Sequence, residues 1–350
     1  MVYFSRVVEK RQAAHIFATH LKSSRNTILV SILLVSTLLH AQGCAWFATG
    51  MTPTKEKQSS AETRTLVPIF WEHFHNGDYA SIAFQLSQWK LAYLKSPHDP
   101  KIASTIGFLH AWRVTERARQ SELTPNITDD LTMAARYFEA SHILEPSNPV
   151  THGFYAAFSL ADATIHNNAK KQTRAWFEAK NAMDAWPAFN QFTVAYLMNA
   201  LPYTEKRGQQ ATTLLKDVLE DCLQQKPKYV DALLAQQLNR LLTAETDGMT
   251  AKRARACNNT FKAPYNIQGF MLNMADTFIR NGDVKIALEL YGALKKTSDF
   301  NSWPYRHLVA DRIDYATKNS TLFKRTPLMT KPDVGMMFTS AYSCMACHQR

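Results

Sequence analysis

Two neighbouring stretches limit the fold of this chain more than any other feature. Over 267–280, Ile267, Phe270, Met271, Met274 and Phe278 recur at three- and four-residue spacing. Over 284–294, Ile286, Ala287, Leu290, Tyr291 and Leu294 do the same. Each stretch reads as an amphipathic helix with one apolar stripe. Asn281-Gly282-Asp283 between them is a turn signal, and Asn76-Gly77-Asp78 repeats it early in the chain. Neither helix buries its stripe alone, so such pairs must stack, neighbour on neighbour. Pro97, Pro146, Pro187 and Pro227 each close a helical segment, at successive intervals of 49, 41 and 40 residues. Only 11 glycines punctuate the chain, and no apolar–polar alternation bounded by turns stands out. That excludes a turn-rich β fold and predicts an all-α chain.

The repeated pattern resembles the tetratricopeptide repeat. Segment 134–149 resembles its second helix, with Ala134, Phe138, Ser141 and Pro146 in register and Ser141 standing for the usual small Ala. Ile106-Gly107 matches the first-helix Leu-Gly pair, although His110 takes the usual Tyr position. The best unit is 267–296, where Ala275, Phe278, Gly282, Asp283, Ala287 and Tyr291 all fall in register. The resemblance implies a right-handed α–α superhelix over 66–315, of about six helix pairs, whose concave groove takes a protein partner. A non-repeat helical bundle is the alternative.

The front of the chain reads as an address. Residues 28–39, ILVSILLVSTLL, follow Lys22 and Arg25 and are too short an apolar run to span a bilayer comfortably. They fit the core of a secretory signal peptide over 1–43. Residues 41–44, AQGC, resemble a bacterial lipobox, with Ala41 and Gln42 departing from the usual Leu and small residue. The resemblance implies lipidation at Cys44 and a cell-envelope or periplasmic protein anchored to the membrane. An uncleaved N-terminal anchor is the alternative. The polar stretch that follows predicts a flexible tether over 44–65.

Export bears on the other cysteines, because it implies an oxidising compartment. Cys222 and Cys257 lie 35 residues apart, so a disulfide between neighbouring helices and a pair of buried thiols are both open. Lys and Arg outnumber Asp and Glu by 40 to 29, a net charge of +11. Residues 1–43 hold five basic groups and one acidic group, which is +4 and leaves +7 for the rest. That remainder is scattered, and no zinc-finger spacing or aromatic–basic motif argues for nucleic acid.

Cys344-Met345-Ala346-Cys347-His348 carries the chemistry. On one helical turn, residues three apart project from the same side. The motif resembles the haem-attachment site of c-type cytochromes. The resemblance implies thioether bonds from Cys344 and Cys347 to one covalent haem c, with His348 on the iron. A four-ligand zinc site lacks a second Cys/His pair, whereas a terminal disulfide is the plain alternative.

Residues 316–350 are then read as an appendage: a linker marked by Pro327 and Pro332, then one short haem-bearing helix over 333–348 capped by Asp333. Met336 and Met337 on that helix would lie on His348's side of the ring, which demotes them as axial ligands. Met329, His307, His73, His75 and His110 remain candidates for the sixth position, as does an open site of the cytochrome c′ kind. Phe338, Tyr342, Trp303 and Tyr305 are candidates to wall the ring.

Three readings follow. The first is an exported, lipid-anchored monohaem protein that passes or senses electrons with a docked partner, itself a candidate redox protein. The second is a haem-free envelope scaffold. The third is a gas-binding or peroxidase-like haem protein, for which no distal acid–base pair stands out.

Overall fold

The computed structural model describes residues 59–120, 127–199, 201, 203–204, 206–243, 250–324 and 335–350. They all belong to one compact unit, and no strand forms among them. The fold is all-helical, a solenoid-like stack of packed adjacent helices.

The first eight helices are α1 (Ala61–His75), α2 (Ile82–Lys95), α3 (Pro100–Thr115), α4 (Ile127–Leu144), α5 (Pro149–Ile165), α6 (Ala169–Ala185), α7 (Pro187–Met198) and α8 (Lys206–Leu223), with successive helices packed on one another. Then come α9 (Asp231–Thr243), α10 (Ala251–Cys257), α11 (Asn266–Asn281) and α12 (Val284–Lys295). The chain finishes with α13 (His307–Asp314), α14 (Ala316–Leu322) and the single turn α15 (Met345–His348). None of the described helices is long and apolar enough to cross a membrane.

Local chemistry sets these bounds. Asp99 and Asn148 cap α3 and α5 through their side chains, and each is followed by proline at the first helical position. Gly282 ends α11 at φ +91°, a left-handed conformation that glycine adopts without a Cβ clash. The four prolines of the sequence reading fall at helix boundaries, with Pro187 opening α7 rather than closing a helix. α1 starts at Ala61, five residues before the expected boundary at 66, while residues 1–58 and Cys44 lie outside the described residues.

Burial divides the helices into an inner and an outer set. In α3 and in α11, 13 of 16 residues are buried, so these helices are covered on nearly all sides. In α6, only Ala175, Ala179 and Ala182 of 17 residues are buried, a narrow seam against the body. The outer helices leave several large apolar side chains exposed, among them Phe84 and Leu91 of α2 and Phe177 of α6. Cys222 at the end of α8 and Cys257 at the end of α10 form a disulfide, which resolves the open alternatives.

Residues 335–350 do not stand apart as an appendage. They pack against α1, α11 and the inner face of the stack, and Met345, Ala346 and Cys347 are buried. α14, within the same expected linker, packs on α11 and α12.

Candidate functional site

The expected single helix over 333–348 does not form. Asp333 lies outside the described residues, Met337–Thr339 is one 3-10 turn, and the helix that bears the motif is only Met345–His348. The reason lies in where the backbone amides go. Met337 N–H donates to Asp276 Oδ2 at 2.7 Å. Cys344 N–H and Met345 N–H donate to Glu116 Oε1 at 2.7 and 2.9 Å. Buried carboxylates on the solenoid replace the helical carbonyl acceptors, and charged acceptors make the stronger bonds.

Both carboxylates belong to networks. Glu116, fully buried, also accepts from Trp112 Nε1 at 2.9 Å and pairs with Arg119 at 2.8 Å. Burial pushes its carboxyl up, opposed first by Arg119. Its oxygens receive three N–H donors and lie against the Arg119 guanidinium, so the ionised form is the one this geometry accommodates. Asp276 pairs with Arg312 at 3.0 Å and accepts from Tyr291 Oη at 2.6 Å. Arg312 Nη2 in turn donates to Gly335 O at 2.6 Å and Tyr342 Oη at 2.9 Å. Further donors hold the tail's carbonyls: Arg119 on Ala341 at 2.6 Å, Tyr196 on Ser343 at 2.8 Å, and Trp303 on Ala346 at 2.8 Å.

The pinned turn faces a cavity of about 200 Å³. Phe74 of α1, Trp112 of α3, Phe154 of α5, Phe192 of α7 and Phe270 of α11 form its walls. The inner helices therefore converge on one space. Cys344, Cys347 and His348 all line it, so the motif residues are brought together on a single cavity.

His348 is oriented by the fold. Its Nδ1 lies 2.6 Å from the carbonyl oxygen of Lys262, which also meets His75 Nε2 at 3.4 Å. A carbonyl only accepts, so Nδ1 carries the proton and Nε2 keeps its lone pair. Burial pushes His348 down to about 4, with the Lys262 bond opposing, so the ring is neutral at ordinary pH. Phe74 packs on it at 4.9 Å between ring centroids.

The two thiols are free and are not bonded to each other. Burial pushes Cys347 up to about 12 and Cys344 further, so both are neutral. Cys344 Sγ sits 3.2 Å from Thr115 Oγ1. Cys347 Sγ rests on the backbone of α11 at Gly269, where an added Cβ would lie 2.1 Å from the sulfur. Only glycine permits that approach. Two cations also line the cavity, Arg255 and Lys262, neither with an ion-pair partner among the described residues. Burial, then Arg255 and Lys101, push Lys262 down to about 8.

The expected axial candidates fare differently. His73 pairs with Asp78, His110 with Asp130, and exposed His307 begins α13; none of them, nor His75, lines the cavity. Met329 lies outside the described residues. Met337 does line the cavity, and the shared helix that demoted it is absent. Phe338, Tyr342, Trp303 and Tyr305 pack around the tail rather than on the cavity, a correction to their expected role. Glu116, Asp276, Gly269 and Lys262 carried no local sequence signal, since each acts across a long separation.

These residues fit a covalently held haem. The neutral thiols suit neutral thioethers, Nε2 of His348 is open to iron, and the unpaired cations suit the group's two carboxylates. No family model matches the chain, and neither a curated protein nor a solved structure matches it.

Proposed function

We propose that the chain is an exported, membrane-anchored monohaem c-type protein that passes or senses electrons with a docked protein partner. The observation that carries this reading is the arrival of Cys344, Cys347 and His348 on one aromatic cavity. Cys344 and Cys347 would hold the haem, and His348 would bind its iron from the side fixed by the Lys262 carbonyl. Arg255 and Lys262 would meet the propionate carboxylates. Bound there, the haem supplies a one-electron couple. The aromatic walls exclude water around it, which lowers the local dielectric and tunes the potential. The Cys222–Cys257 disulfide supports an oxidising compartment, hence export past the segment at 1–43 and lipidation at Cys44. The repeat resemblance supplies the partner-binding role, because tetratricopeptide stacks present extended surfaces to proteins.

A second reading, gas binding at an open iron, draws on the same cavity. Among the described residues His348 is the one histidine that lines it, and Met337 is the one methionine. Carbon monoxide binding to the reduced protein separates the two: an iron whose remaining position were taken by a protein side chain would resist it, and an open site would admit it.

The test is a haem-peroxidase stain on a denaturing gel. The protein is expressed with its own first 43 residues in a host with cytochrome c maturation machinery. Covalent haem gives a band, and Cys344→Ser with Cys347→Ser removes it while circular dichroism retains the helical signal. Absence of the band in a host that loads other cytochromes leaves the haem-free scaffold.

A further inference from the structure

Away from the cavity, three consecutive helices bring metal-binding side chains together. His142 lies in the last turn of α4, His152 in the first turn of α5, and Glu178 in α6. One ligand atom from each lies within 4.8 Å of the other two, and this is the sole such cluster of three or more among the described residues. We propose that His142, His152 and Glu178 bind one divalent ion of the zinc class, at a site independent of the haem reading.

Two further observations point to a ligand. His142 Nδ1 is buried and has no hydrogen-bond partner among the described residues. A buried polar atom without a partner is costly, and a metal bond satisfies it. His152 Nε2 already meets Glu178 Oε2 at 3.0 Å, so a carboxylate and an imidazole converge on the space beside it. The two imidazoles stack at 4.2 Å between centroids, 20° from parallel, and Tyr155 stacks on His142 at 5.6 Å. The turn between α4 and α5 is fixed, because Asn148 bonds both Glu145 and the amide of Val150. The local charge also favours a cation. Glu139 and Glu178 both act on Tyr155, which stacks on His142, and the one guanidinium beside them, Arg174, lies 3.9 Å from Glu139.

Two imidazoles and one carboxylate leave a fourth position for water, the set typical of zinc; calcium and magnesium prefer all-oxygen shells of higher number. Bonds near 2.1 Å require tetrahedral donors about 3.4 Å apart; His152 and Glu178 already stand at 3.0 Å, and a donor pair at the 4.8 Å limit would close by about 1.4 Å. Rotation of the two imidazoles about their side-chain bonds supplies that.

The experiment is a zinc titration of the chelator-stripped full protein by calorimetry, repeated with the thiol variant Cys344→Ser/Cys347→Ser. The expected result is one ion per chain in both. His142→Ala weakens binding at least tenfold, and so does Glu178→Gln, which keeps the side chain's size and leaves the circular dichroism unchanged. The proposal is overturned by absence of binding in the wild-type protein, by binding that survives His142→Ala with His152→Ala, or by loss only in the thiol variant.

Discussion

Glu116 accepts the backbone amide of Cys344 at 2.7 Å across 228 residues of sequence. That one carboxylate, buried at the end of α3, sets the position of the first motif cysteine. Its neighbours make it hard to replace. Glu116→Gln puts an amide N–H₂ against N–H donors and leaves Arg119 without its partner. Loss of one partner in a buried charged network costs about 3 kcal/mol. Denaturant unfolding should show that loss, and the stained haem band should weaken with it.

Gly269→Ala tests the contact between α11 and the motif. The new methyl would sit 2.1 Å from Cys347 Sγ and 3.1 Å from its backbone nitrogen, so the tail must move off the helix. Overpacking of this kind costs about 1–3 kcal/mol. Limited proteolysis should cut the variant near residue 340 under conditions that leave the parent intact.

Lys262 gives a result that changes sign with the cofactor. Lys262→Met keeps the side chain's apolar stem and the backbone carbonyl that holds His348, while it removes a charge that faces Arg255. The haem-free protein should be unchanged or more stable by up to about 1 kcal/mol. Covalent loading should fall. Thermal melts of loaded and unloaded protein, run side by side, check both arms.

Removal of the Cys222–Cys257 disulfide should loosen the junction of α8 and α10. The bond spans a 35-residue separation, and a loop of that size contributes about 4 kcal/mol by constraining the unfolded chain. Cys222→Ser with Cys257→Ser should lower the denaturant midpoint accordingly, with the haem band retained.

Asp99 sets part of the acid limit of stability. Burial opposes its ionisation, but the amides of Ser60 and Lys101 and the Thr63 hydroxyl, at 2.7, 2.8 and 2.7 Å, outweigh it and hold the carboxyl below its ordinary value. The unfolded chain therefore binds the proton first as pH falls. The stability Asp99 contributes is whole above its unfolded value near 4 and is lost as pH drops through the folded one. Asp99→Asn should flatten the acid limb of a stability–pH curve over about pH 5 to 2, measured by urea melts.

The helix pairs were legible because their signals are local. The stripe through Ile267, Met271, Met274 and Phe278 and the Gly282 turn define α11 and α12 to within a residue or so of the observed bounds. The motif was legible for the same reason, since Cys344, Cys347 and His348 are close in sequence. The tail's path was not. Residues 333–348 have the composition of a helix, and nothing in them announces that their amides bond to Glu116 and Asp276, 228 and 61 residues away. The aromatic walls were misassigned on the same ground. Phe338 and Tyr342 are near the motif in sequence, whereas Phe74 and Phe154 are near it in space. The cysteine pairing stayed open because it depends on how α8 and α10 meet.

The tail's bonds also change how such a stack should come apart. In an open stack each repeat touches only its neighbours, so unfolding can begin at one end and spread step by step. Here a segment from 335 to 350 is tied to Glu116 and His75 early in the chain, and to Asp276, Trp303 and Arg312 late in it. Neither end can fray without breaking contacts to the other. The array should therefore melt as one cooperative unit, in a single transition that every probe reports alike.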